Sequence, residues 1–229
     1  IERHLRSAIL QYQEALTALQ KLDSGVIPTE YQEVFDDFKL LFATFIDDMG
    51  DIRDLSRALI AMFGDEGFRR YLVIFQNHRE IRPTGGFMGS FAVLDVQKGK
   101  ILDITVPGGG SYDLKGQLSK YVAPPLPLQL VNKRWEFQDA NWFPDFAATA
   151  DKISWFYEHS RGVTVDGVIA VNANVLEDVL AVLGPIEHDT FSSALDTDNV
   201  LSELQYQVEV AYDRSENQPK AVIGSLLED

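Results

Sequence analysis

Residues 77–90 read Asn-His-Arg-Glu-Ile-Arg-Pro-Thr-Gly-Gly-Phe-Met-Gly-Ser, the densest local pattern in this sequence. Directly upstream lies a short continuous apolar run, residues 71–75, which is typical of a buried strand. The polar stretch therefore follows a core strand. Arg79 and Arg82, together with freely orientable backbone N–H groups, are suited to binding an anion there. The alternative is a tight, glycine-rich strand connection whose arginines pair with acidic neighbours.

The regions on either side predict an α/β domain preceded by helices. Residues 1–64 show apolar side chains at helical spacing, with breaks at Gly25–Pro28 and at Gly50–Asp51. This pattern predicts an antiparallel helical hairpin plus a connector. From residue 65 to residue 229 strands alternate with helices, which is typical of α/β proteins.

Local patterns define several elements of the second domain. Phe87–Val96 and Ile101–Val106 are predicted strands that form a hairpin around a Lys-Gly turn. Asp113–Tyr121 is predicted as a short helix and Ile186–Phe191 as a short edge strand. Since the last helical pattern is followed by no closing element, we expect the domain to be truncated at its C-terminal helices.

The charge balance bears on the class of partner. The chain of 229 residues has 35 Asp and Glu against 20 Lys and Arg, a net charge of -15. Such a surface repels nucleic acid and anionic headgroups unless basic residues are locally concentrated. We therefore expect no nucleic-acid partner.

Other absences exclude some chemistry. The chain has no cysteine, so disulfides, thiolate metal sites and a cysteine nucleophile are excluded. No apolar run approaches the length of a membrane span. Because the chain opens at Ile1 inside a helical pattern, we expect a fragment whose membrane anchor or signal lies upstream.

Carboxylates and arginines provide the remaining candidate site. Asp139, Asn141 and Asp145 offer the oxygen ligands that Mg²⁺ prefers, so magnesium is a candidate cofactor. Arg79 and Arg82 are natural clamps for a diphosphate. Together these residues would form a magnesium–pyrophosphate site that acts by charge neutralisation and positioning. The alternative for Asp139 and Asp145 is turn formation and helix capping.

Several motifs resemble an uncharacterised bacterial family known only as a domain of unknown function, number four-thousand-twelve. They are Arg82-Pro83-Thr84-Gly85-Gly86-Phe87, Asp139-Ala140-Asn141-Trp142, Asp166-Gly167-Val168-Ile169-Ala170-Val171 and Leu183-Gly184-Pro185-Ile186. The resemblance covers roughly residues 60 to 215. Members of that family typically have an N-terminal membrane anchor and an extracytoplasmic body, which implies the same location for this domain.

The order of elements is more distantly similar to the LytR–CpsA–Psr family, which transfers glycopolymers from polyprenyl-diphosphate carriers to the cell wall. This resemblance implies a three-layer α/β/α fold with a mixed central sheet and places Arg82 at a diphosphate-contacting position. One departure is clear: the family's Pro-Arg-Asp is replaced by Pro107-Gly108-Gly109, without Arg or Asp. Arg79 is a candidate substitute; otherwise the domain binds a lipid-linked glycan without turning it over, or does neither.

Two main functions follow from these patterns. The first is an extracytoplasmic domain that binds a polyprenyl-diphosphate-linked glycan or cell-wall polymer, and transfer of this ligand is a further candidate activity. In this function an apolar cleft holds the lipid. Its substrate-binding residues are Arg79, Arg82, Thr84, Gly85, Gly86 and Asn141; Asp139 and Asp145 are catalytic and hold the metal. The alternative is a non-catalytic surface module for adhesion or scaffolding. A third is a structural domain whose helical hairpin self-associates.

Overall fold

A computed structural model describes residues 2–65 and 67–228. The chain forms two compact units that divide between Gly67 and Phe68. The first unit is helical and the second combines a sheet with helices. The α/β class and the N-terminal helical region that the sequence predicts are both confirmed.

The first unit consists of two helices, α1 (Glu2–Gln20) and α2 (Thr29–Met62), joined through a 3₁₀ turn at Ser24–Val26. Asp23 begins this turn, because its carboxylate accepts a hydrogen bond from the Gly25 N–H at 2.9 Å. In residues 2–65 and 67–228, no helix has both the length and the apolar character needed to span a membrane.

The predicted break at Gly50–Asp51 is wrong, since α2 continues through both residues. A glycine in a helix interior costs about 1 kcal/mol relative to alanine, which the helix formers around it offset. Packing also holds α2: the ring of Tyr12 in α1 lies 5.9 Å from Phe42 and 6.0 Å from Phe45, between ring centroids.

The second unit is built on a four-stranded sheet in the order β3-β2-β1-β4. Its strands are β1 (Phe68–Asn77), β2 (Phe87–Gln97), β3 (Lys100–Thr105) and β4 (Gly167–Asn172). The β1–β2 and β2–β3 pairs are antiparallel, whereas β4 runs parallel to β1, so the sheet is mixed. The predicted β2–β3 hairpin is confirmed, and Lys98 and Gly99 have the positive φ values, 52° and 73°, that a tight hairpin turn requires.

One face of the sheet packs against α3 (Phe146–Arg161). Alternate residues of β1, Leu72 and Ile74, are fully buried in one cluster with Phe91 of β2 and Phe156 of α3. This alternation is the period of two expected of a strand with one core-facing side. The cluster also includes the segment before α3, where Phe137 lies 5.1 Å from Phe91 between ring centroids.

The chain after β4 forms a second apolar cluster. Its helices are α4 (Asn174–Leu183), α5 (Val200–Tyr206) and α6 (Ala221–Glu228). Leu180, Phe191, Leu195 and Val200 are buried together there.

Two local predictions in the second unit are wrong. Asp113–Tyr121 is not a helix; a short 3₁₀ turn at Gly110–Leu114 stands in its place, and the extended backbone of Lys115, ψ 128°, ends this turn. Ile186–Phe191 is not a strand either. Only Ile186 makes a bridge there, to Leu195, so this segment lacks a continuous ladder.

Candidate functional site

Polar residues gather where the parallel strands β1 and β4 end side by side. Gln76 and Asn172 are partners in the register of these strands, and Gln76 is buried at 2% exposure. The Gln76 side-chain amide donates to Thr84 Oγ1 at 3.0 Å. The carboxyl ends of strands are where α/β folds place ligand sites. The predicted residue Thr84 therefore lies at that edge, fixed by a strand residue.

The Gly85–Gly86 pair follows directly, and both positions require glycine. Gly85 has φ 135°, and a Cβ placed on it would lie 2.7 Å from Asn172 Oδ1 and 2.9 Å from Gln76 Oε1. A Cβ on Gly86 would lie 2.1 Å from the carbonyl oxygen of Asn77. The pair thus lets the connection between β1 and β2 fold tightly onto the strand ends.

Asn141 joins this edge from the segment before α3. It is 1% exposed, and its Nδ2 donates to the carbonyl oxygen of Gly86 at 2.7 Å. Three buried polar atoms here have no hydrogen-bond partner in the described chain: His78 Nδ1, Asn141 Oδ1 and Asn172 Oδ1. The structure therefore brings Thr84, Gly85, Gly86 and Asn141 together as one polar edge.

Backbone N–H groups of residues 77–90 are already engaged within the connection. Those of Glu80, Gly85 and Phe87 donate to the carbonyl oxygens of Asn77, Arg82 and Glu80, at 3.0, 3.0 and 2.8 Å. The expectation that several of them are free to bind an anion is therefore wrong for these three. Arginine side chains are left as the main anion-binding groups of the stretch.

The two predicted clamp residues point to different neighbours. Arg79 is exposed, and its Nη1 makes a long 3.4 Å hydrogen bond to Gln205 Oε1 in α5. Arg82 instead places its guanidinium 5.1 Å from the ring centroid of Phe87 and pairs with Glu80 at 3.0 Å. No contact joins the two arginines. Arg82 is the better-placed candidate, because Phe87 and Glu80 hold its guanidinium in position.

Asp139 lies in the same electrostatic neighbourhood as Arg82. It is 7% exposed, at the end of the 3₁₀ turn Phe137–Asp139, and its Oδ2 accepts from Asn132 Nδ2 at 2.8 Å. Burial raises the pKa of Asp139, and the charge of Arg82 opposes that rise. Tyr112 belongs to this group too: burial and then Asp139 and Glu80 raise its pKa, whereas Arg82 lowers it.

Asp145 has a different local role. Its carboxylate accepts a hydrogen bond from the Ala148 N–H at 2.8 Å and thereby caps α3. In residues 2–65 and 67–228, no group of three or more His, Cys, Asp or Glu could hold a metal ion. Asp139 and Asp145 are thus the only carboxylates behind the magnesium prediction, and both already accept protein hydrogen bonds. These residues do not form a ready metal site, and no step below uses a metal.

An apolar cavity of about 450 Å³ lies between the sheet and α3. Its lining residues are Phe91, Val93, Thr105, Pro107, Asp113, Tyr157, Arg161 and Val163. The volume falls in the range of small-molecule sites, roughly 300–1,000 Å³. One lining residue, Asp113, is the chain neighbour of Tyr112.

Three residues of this region were not singled out from the sequence. They are Gln76, Asn172, which the sequence offers only as a candidate helix cap, and Phe87, the first residue of a predicted strand. A glutamine at an inward position of an apolar strand could have been noticed, because buried amides need partners. No local sequence pattern indicates that Arg82 lies over the ring of Phe87.

Fold and site together define a mixed α/β domain with a polar strand edge, an arginine over an aromatic ring and an apolar cavity. Residues 66–208, more than half of the chain, match the family model described as "Protein of unknown function (DUF4012)". The chain belongs to this family. Comparison with curated proteins and with solved structures finds no match.

Proposed function

We propose that this domain binds a polyprenyl-diphosphate-linked glycan at the extracytoplasmic side of the cell membrane. The observation that supports this most is the guanidinium of Arg82, which lies over the ring of Phe87 in the same unit as a cavity whose wall is largely apolar. A cationic group and an apolar cavity within one unit match a ligand with an anionic head and an isoprenoid tail.

Arg82 retains hydrogen-bonding capacity for such a ligand. A guanidinium has five N–H donors, and here Nη1 donates to the Ile81 carbonyl oxygen while Nη2 donates to Glu80 Oε1. The remaining donors suit the fork-like contacts that arginine makes with phosphate. Stacking on Phe87 holds the planar group in one orientation, which lowers the entropy cost of binding.

The cavity would take the first part of the lipid. Phe91 and Val93 form its wall on β2, and Tyr157 and Val163 close it from the α3 side. Burying apolar surface stabilises by about 25 cal/mol per Å². Arg161, also on this wall, would lie near the entrance, where a charged group can stay hydrated.

The finer features come from the resemblance alone. They are the three-layer arrangement like that of LytR–CpsA–Psr enzymes, an anchor outside this chain, and transfer of the glycan. We keep them as part of the proposal. Binding requires none of them and is tested first.

A second candidate function is a non-catalytic surface module for adhesion or scaffolding. The ion pair between Arg82 and Glu80 favours it, because an arginine committed to holding a loop matches a purely structural role. The two functions predict different effects of removing Arg82. The first predicts a loss of affinity for a diphosphate ligand, and the second predicts no such loss.

The test is calorimetric titration of farnesyl diphosphate into the wild type, with and without Mg²⁺, and into the Arg82→Ala variant. Loss of a charge-assisted contact should cost about 2 kcal/mol, roughly thirtyfold in affinity. Arg214→Ala, an exposed arginine of the same unit, is the matched control and should leave affinity unchanged.

Farnesol, which lacks the diphosphate, separates the two parts of the ligand. It should bind the wild type and Arg82→Ala equally, since only the head group contacts the arginine. A folded wild type that binds neither compound would overturn the proposal and favour the surface module.

A further inference from the structure

Lys220, which directly precedes α6, lies against the glycine loop that follows β3. Its backbone N–H donates to the carbonyl oxygen of Gly108 at 2.7 Å. Its side chain then passes Gly110: a Cβ placed there would lie 3.0 Å from Lys220 Cγ and 2.3 Å from the Gly89 carbonyl oxygen. Gly110 also has φ 64°. Because glycine has no Cβ, Gly110 makes room for the side chain of Lys220.

The ammonium group of Lys220 reaches the beginning of β2. A Cβ placed on Gly89 would lie 3.9 Å from Lys220 Nζ and 3.4 Å from a ring carbon of Phe87. Gly89 is the residue left without a partner where the register between β1 and β2 shifts, so a β-bulge opens the backbone here. The ammonium group of Lys220 and the ring of Phe87 thus both lie beside Gly89, and the guanidinium of Arg82 lies over that ring.

This ammonium group is partly buried without a counter-charge in contact. Within residues 2–65 and 67–228, its nitrogen has neither a hydrogen bond nor an ion pair. Burial lowers the pKa of Lys220, and the more distant charge of Glu209 opposes this. An unpaired, partly desolvated cation costs stability, as is common for groups that serve binding.

The neighbouring backbone does not offer free donors in place of the lysine. The Gly109 N–H donates to Asp113 Oδ2 at 3.0 Å, and the Gly110 N–H donates to the Pro107 carbonyl oxygen at 2.8 Å. The segment from Pro107 to Gly110 has no charged side chain of its own. A cation for an anionic ligand at this place therefore has to come from another element.

We propose that Lys220 is the second cationic group of the diphosphate site, beside Gly89 and close to the ring of Phe87 over which Arg82 lies. The inference rests on the proposed function and adds a binding residue to it. Two cations near one ring fit a ligand with two adjacent phosphate groups, where each takes part of the charge. Lys220 lies beyond the residues matched by the family model, which end at 208.

The test compares binding of farnesyl diphosphate to the wild type, Lys220→Met and Lys100→Met. Methionine keeps the apolar stem beside Gly110 and removes the charge. Lys100 is an exposed lysine at the start of β3, so its replacement controls for the change in net charge. We expect Lys220→Met to weaken binding about tenfold or more, Lys100→Met to change it less than about twofold, and Lys220→Arg to retain it.

The outcomes separate this inference from the proposed function. If the wild type binds, and Arg82→Ala weakens binding while Lys220→Met behaves like Lys100→Met, Lys220 has no role and the proposed function stands. If the folded wild type binds no farnesyl diphosphate, both fail.

A measurement without ligand gives an independent check. Because the ammonium lacks a partner, Lys220→Met should unfold at a urea concentration no lower than that of Lys100→Met. A clearly lower unfolding midpoint would mean that the charge holds the fold together, and the inference would be overturned.

Discussion

At the scale of single residues, Asp139 combines a buried charge with a defined hydrogen bond. Its carboxylate accepts from Asn132 and lies near enough to Arg82 for the two charges to interact. A buried carboxylate of this kind can serve in a binding site or stabilise a turn. The pH dependence of the free energy of unfolding separates the cost of burying its charge from the gain of its hydrogen bond.

Asp139→Asn should be more stable than the wild type at pH 7, with the difference disappearing at low pH. Burial raises the pKa of Asp139 above 3.8, so the folded state binds the proton more tightly than the unfolded state. Wild-type stability therefore falls as pH rises from 3.8 through the folded-state pKa. The asparagine variant does not titrate and escapes this loss, while its side-chain oxygen still accepts from Asn132.

Urea unfolding of both proteins at several pH values from about 3.5 to about 8 measures this difference. An equal difference at all pH values would contradict the explanation by charge burial. Lower stability of the variant at pH 7 would instead indicate that Arg82 stabilises the ionised carboxylate more than burial destabilises it.

At the scale of elements, α3 depends on its first and last residues. Asp145 caps its beginning, and Gly162 in the left-handed conformation, φ 70°, ends it. Between them Ile153 and Phe156 join the main core. The cap therefore fixes the helix that closes the apolar cavity.

Asp145→Ala should lower the free energy of unfolding by about 1 kcal/mol, the usual cost of losing a side-chain cap. Asp145→Asn is the matched variant, since asparagine caps equally well but has no charge. It should therefore retain most of the wild-type stability in urea unfolding.

The same pair of variants tests the metal prediction. A magnesium ligand at Asp145 would make Asp145→Asn as defective as Asp145→Ala in Mg²⁺-dependent ligand binding. Equal Mg²⁺ dependence of the wild type and Asp145→Asn would leave capping as the role of this carboxylate.

At the scale of the whole molecule, the net charge of -15 decides which large partners the protein can approach. Arg69, Arg70 and Arg82 each pair with an acidic side chain, at 2.8, 2.6 and 3.0 Å. These three basic groups are thus neutralised locally, while the chain as a whole keeps its excess of carboxylates.

We expect no binding of double-stranded DNA at about 0.15 M salt, where the screening length is about 8 Å. Like charges repel, and the 35 Asp and Glu outnumber the 20 Lys and Arg that could release counterions from DNA. A mobility-shift titration measures this. Binding that weakens steeply with added salt would reveal a basic surface and would contradict the expectation.

The sequence alone determined the elements whose cause is local. The apolar run at residues 71–75 and the Lys98–Gly99 turn predicted the first strand and the β2–β3 hairpin, because side-chain period and glycine backbone freedom act over a few residues. It also located the Arg82–Gly86 connection and Asn141. It failed at Gly50 and at Asp113–Tyr121, where packing and neighbouring turns override local preference.

Only the tertiary structure decided which distant residues meet. The parallel pairing of β1 with β4 sets Gln76 beside Asn172, and the connection before β2 places Arg82 over Phe87. Lys220 comes from the last part of the chain, passes Gly110 and brings its ammonium group beside Gly89. Such contacts depend on how the whole chain closes around its core, and no pattern within a few residues encodes them.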